Sequence, residues 1–114
     1  MTRIEKGDKV IVRFAVTDSD GNNVLFTSMA DTNTTVKLEH ADGTEYQTYT
    51  KGTDLVVGDN TNEIEFEVTV AHSQAFATGI IYALITIQLT DSDFSSSEAY
   101  YVEHYPLFRV QDKA

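Results

Sequence analysis

The chain has 114 residues, no cysteine and a formal net charge of -10 from 18 acidic and 8 basic residues. That is the size of one ordinary domain, able to bury roughly two thirds of its unfolded surface without staples. Disulfides and thiolate metal sites are excluded, and the acidity disfavours nucleic acid and anionic membranes as partners.

In chain order, Met1 to Asp8 is polar and lacks the apolar core of a signal peptide. Val10, Val12, Phe14 and Val16 then sit at every second position, which predicts a strand over Lys9 to Thr17 with one buried face. Asp20-Gly21 marks a turn, and Val24 to Thr27 reads as a short returning strand. Alternation resumes over Thr34 to Glu39, with Val36 and Leu38 inward. Asp42-Gly43 turns the chain into Glu45 to Thr50, with Tyr46 and Tyr49 assigned to opposite faces by the period of two. Leu55 to Val57 is a short apolar piece. Glu63 to Val70 alternates most clearly, with Ile64, Phe66, Val68 and Val70 inward and three glutamates facing water. Ala71 to Thr78 favours a helical turn closed by Gly79.

Ile80 to Thr90 is apolar at nearly every position and reads as a central strand buried on both faces. It is too short to span a bilayer, which takes about 20 residues. A loop follows over Asp91 to Ser97. Glu98 to Tyr105 is a Tyr-rich strand that Pro106 places at or near a sheet edge, and Leu107 to Val110 is a last short strand. The expectation is an all-β antiparallel sandwich of about seven to nine short strands, one domain over 1–114. Val12, Phe14, Phe66, Val68, Tyr82, Leu84 and Ile87 are its expected core contributors.

No motif carries chemistry. Asp18, Asp20 and Asn22 match part of a calcium loop, but Gly21 follows the second Asp directly and no helices flank it. Asp91 and Asp93 sit beside Phe94 and three serines and read as loop. His40, His72 and His104 show no metal-ligand spacing, and a Ser-His-Asp triad picked from so many serines and aspartates has no specificity. No catalytic, cofactor or metal residues are assigned. Tyr101, Glu103 and Tyr105 share one face of the late strand and form the candidate interface, since Tyr supplies contact area with a polar handle. Tyr46, Tyr49 and Tyr101 are the aromatics open to an alternative, carbohydrate-binding reading.

Lys6-Gly7-Asp8 leads into the first alternating strand. Near the end come a helical turn, the run from Gly79 to Thr90, and Leu107-Phe108-Arg109-Val110. In this order the chain resembles the N-terminal immunoglobulin-like domain of phage baseplate upper proteins. The family's glycine before the final strand is replaced around Tyr105 and Pro106. The resemblance implies an immunoglobulin-like fold. It also implies a non-enzymatic virion module of a baseplate, tail or head fibre, made in the bacterial cytoplasm. Such a module would pack against copies of itself or other virion proteins.

Overall fold

A computed structural model describes residues 2–17, 20–89 and 99–112, with the side chains of 99–103 excepted. Among the described residues eight strands form two sheets. The larger contains β1 (Thr2–Glu5), β8 (Ala99–Gln111), β7 (Gly79–Leu89), β3 (Thr35–His40) and β4 (Glu45–Thr50), in that spatial order. The smaller contains β2 (Val10–Ala15), β6 (Glu63–Val68) and β5 (Val56–Val57). All neighbours are antiparallel except β1, which runs parallel to β8 before the chain crosses to the other sheet. This is an immunoglobulin-like β-sandwich.

The crossing is made by Lys6-Gly7-Asp8. Asp8 returns both its backbone N–H and its carboxylate to Glu5, at 3.0 and 2.8 Å. Gly7 adopts a φ of 88°, a conformation that favours glycine. A Cβ there would stand 2.8 Å from Gln74 Oε1. The Ser73 hydroxyl donates to the Asp8 carbonyl at 2.7 Å, tying this turn to α1 (Val70–Gln74). Thr69 caps that helix by accepting from the His72 N–H.

The core lies between the sheets. Val12, Phe66, Val68 and Ile87 are buried there as expected, and Phe14 packs against them. Phe66 is central. Its ring lies 4.4 Å from Tyr49 and 6.3 Å from Phe14. Phe76, just after α1, closes one end against Tyr46 and Phe108.

Several local expectations are corrected. Strand β1 was not anticipated, because only Ile4 in it is apolar. Val24 to Thr27 is not a strand, and Phe26–Ser28 forms a 3-10 turn. The predicted strands over Glu98 to Tyr105 and Leu107 to Val110 are one strand, β8. Ile81 pairs with Phe108 and Tyr82 with Pro106, so Leu107 is the extra residue of a bulge that accommodates the proline. Strand β1 pairs only with Phe108 to Gln111. Among the described residues, the stretch of β8 before Phe108 therefore has a strand on one side only. A second bulge, in β4, shifts register between Lys37 and Glu39. It turns Tyr46 inward together with Tyr49, against the expected alternation. Tyr82 and Leu84 are not core residues. Ile81, Ala83, Ile85 and Ile87 are buried, while Ile80, Tyr82 and Leu84 are half-buried on the outer face. No described strand or helix covers that face.

Two outcomes are expected. Phe66→Ala should cost about 3–5 kcal/mol in urea unfolding, because it empties the centre of the aromatic cluster. Tyr49 concerns pH. Burial first, then the Asp54 and Glu67 carboxylates, push its phenol well above its ordinary value. The contribution of the neutral phenol is complete below the unfolded value of about 10 and is lost as pH rises beyond it. Alkaline unfolding should therefore show stability falling above about pH 10 in the wild type, and falling less in Tyr49→Phe.

Candidate functional site

The outer face of the five-stranded sheet is the candidate site. It exists because β7 is apolar at consecutive positions while the small sheet covers only one side of it. Ile80, Tyr82 and Leu84 form its centre, on the middle strand of the five. Register puts Lys37 and His104 on either side of Leu84, and Glu39 and Pro106 on either side of Tyr82. Cross-strand neighbours share a face, so these groups meet.

The His104 ring stacks on Tyr82, with centroids 4.6 Å apart and planes 13° from parallel. His104 Nε2 lies 3.7 Å from Glu39 Oε1. At the end of β3, His40 Nε2 donates to the Thr78 carbonyl at 2.8 Å and Nδ1 accepts from the Asp42 N–H at 3.1 Å. Asp42 Oδ1 also lies 3.2 Å from Nδ1, so the ring is held at both nitrogens. Gly79 permits this seat. It adopts a φ of 124°, and a Cβ would lie 2.8 Å from His40 Nε2. Asp42 Oδ1 accepts from the Thr44 N–H at 2.9 Å, and this hydrogen bond leads the causes that hold its carboxyl below the ordinary range. Glu39, His40, Ala41, Gly43, Tyr82 and His104 line an open cleft of about 310 Å³.

The margins of the face are charged. Arg3 of β1 pairs in register with Arg109 of β8, and both are exposed. At the opposite edge Glu39 of β3 pairs with Glu45 of β4. Glu45 also accepts from Lys37 Nζ at 2.8 Å. An apolar centre with a polar rim is the layout of a protein interface.

The described side chains of the candidate interface and sugar-binding residues, Tyr46, Tyr49 and Tyr105, do not line this cleft. Tyr105 is 50% exposed and pairs with Ala83, so it shares the face opposite to the cleft. The backbones of Tyr101 and Glu103 pair with Ile87 and Ile85, and their side chains lie outside the described residues. Tyr49 is buried, with its hydroxyl 3.0 Å from His72 Nδ1. Tyr46 packs edge-on against Phe76 at 5.0 Å, and its hydroxyl accepts from the Ala77 N–H. Neither ring is the exposed platform that a sugar would stack on. Asp18, Asp91 and Asp93 lie outside the described residues. Among the described residues no three His, Asp or Glu side chains are grouped so as to hold a metal ion.

His40 and His104, 64 positions apart in the chain (104 less 40), meet at one cleft. Sequence reasoning missed the face itself: Ile80, Tyr82 and Leu84 read as a second buried side of β7. Arg3, Glu39, Glu45 and Arg109 carried no local signal, since their pairing depends on strand order. No protein-family model, curated protein or solved structure matches this chain.

Proposed function

We propose that the chain is a non-enzymatic structural module of a phage particle, an attachment or assembly domain of a baseplate, tail or head fibre that works by protein–protein association. The observation that carries the association half is the outer face of the five-stranded sheet, where Ile80, Tyr82 and Leu84 stay half-buried, with no described strand or helix over them, between charged margins. Isolated surface hydrophobes need no explanation, whereas a contiguous apolar strip on the central strand of an uncovered face supports a role in contact. The virion half rests on the resemblance of Lys6-Gly7-Asp8, the run from Gly79 to Thr90, and Leu107 to Val110, in that order, to the N-terminal domain of baseplate upper proteins. The net charge of -10 favours protein partners over nucleic acid or anionic lipid.

Two measurements test this. Phage particles produced from the genome that encodes the chain should retain it through density-gradient purification, as read by mass spectrometry and antibody labelling. Its absence from purified particles would overturn the virion reading. Leu84→Arg places a charge at the centre of the face without touching the core. It should leave the melting temperature nearly unchanged and reduce incorporation at least about tenfold, as a like or unpaired charge in an interface does. Normal incorporation would remove the face from the association.

A further inference from the structure

We infer that the partner for this face is a second copy of the chain, docked face to face about a two-fold axis that runs along β7. The inference rests on the association reading above and names its partner.

Three observations converge. The first is the pair of like-charged neighbours at each margin. Same-sign charges directly opposite on adjacent strands destabilise a sheet, yet this face carries Arg3 beside Arg109 at one margin and Glu39 beside Glu45 at the other, the acidic pair offset in part by Lys37 on Glu45. The second is the state of the cations. Among the described residues, Lys6, Lys9, Arg13, Lys37 and Lys51 each have a carboxylate within 4.0 Å. Arg3 and Arg109 have none among the described residues. In a chain with an excess of acid this is notable, because these two exposed guanidinia are left for a partner's carboxylates.

The third is position. Strand β7 is the third of five. Arg109 stands one strand from it and Arg3 two strands. On the other side Glu39 stands one strand away and Glu45 two. A two-fold axis along β7 exchanges these sides. It lays Arg109 over the partner's Glu39 and Arg3 over the partner's Glu45, and it repeats both contacts by symmetry. Across the sheet the offsets agree, at about 4.8 Å per strand. Along the strands the arginines lie in the row of Ile80 and the glutamates in the row of Tyr82, two residues or about 7 Å apart. An arginine side chain spans that distance. Tyr82 and Leu84 fall on the axis and meet their own counterparts.

Size sets the strength. Five strands by the six residues of β3 give a plane of about 24 by 20 Å. That is roughly 500 Å² per copy and 1,000 Å² in all, the lower end of specific interfaces. The dimer is therefore weak and concentration-dependent. The repulsion between two chains of charge -10 is screened at about 0.15 M salt, where the Debye length is about 8 Å, while the contact pairs persist.

The test uses two exposed edge residues whose replacement leaves the core untouched. Sedimentation velocity at 0.15 M salt should show a reversible monomer–dimer equilibrium for the wild type. Arg3→Glu alone and Glu45→Lys alone should each weaken it at least about tenfold, because each homodimer then holds two like-charged contacts. An equimolar mixture of the two variants should recover wild-type affinity. In the mixed dimer one contact is Glu–Lys and the other is the native Arg–Glu. Circular dichroism confirms that both variants fold; if either does not, Arg3→Gln and Glu45→Gln should each weaken the dimer by a smaller factor. A wild type that stays monomeric at about 1 mM overturns the proposal, as does a dimer indifferent to both substitutions or a mixture that fails to recover. The two readings fail separately. A monomer that still enters particles keeps the association and loses the second copy. A dimer absent from particles keeps the second copy and loses the virion role.

Discussion

A three-stranded sheet can cover only one side of a five-stranded one, and most of this molecule follows from that inequality. Strand β7 is apolar at Ile80, Ile81, Tyr82, Ala83, Leu84 and Ile85 in succession. In a fold with layers on both sides such a run would disappear into the interior. Here the small sheet takes Ile81, Ala83, Ile85 and Ile87 into the core and leaves the intervening residues at the surface. The same inequality makes β7 the central strand of an open face.

The core itself depends on aromatic packing around Phe66. Tyr49 from β4 and Phe14 from β2 reach the ring from opposite sheets, so one side chain joins both layers. Tyr49 gets there because it pairs in register with the inward-facing Val36. The turn of Lys6-Gly7-Asp8 then carries the chain from one sheet to the other, and its anchoring to Ser73 holds α1 beside the crossing. Phe76 follows directly and seals that end of the sandwich against Phe108. Local turn chemistry thus sets where the core closes.

The polar groups of the outer face are held in fixed places. Its histidines are occupied: His40 by two backbone groups, His104 by the ring of Tyr82 and the Glu39 carboxylate. Such fixed rings present shape and hydrogen-bonding edges at little entropic cost, which suits association. Exposed arginines lie at one margin of the face and glutamates at the other, with Lys37 bonded to Glu45 among the latter.

The amino-acid sequence alone determined the fold class and most of the strands. A period of two is a local property: each residue's face follows from its neighbours, so Val12, Phe66, Val68 and Ile87 could be assigned to the core without knowing the partner strand. Where a strand carries no such pattern, as in Thr2–Glu5, or where a bulge breaks it, as at Tyr46, local reading failed. Only the tertiary structure decided which of the two apolar sides of β7 is covered, because that depends on how many layers the chain can build. It alone set Arg3 beside Arg109, Glu39 beside Glu45, and His40 near His104. Those meetings are fixed by strand order, a long-range property that no window of neighbouring residues contains.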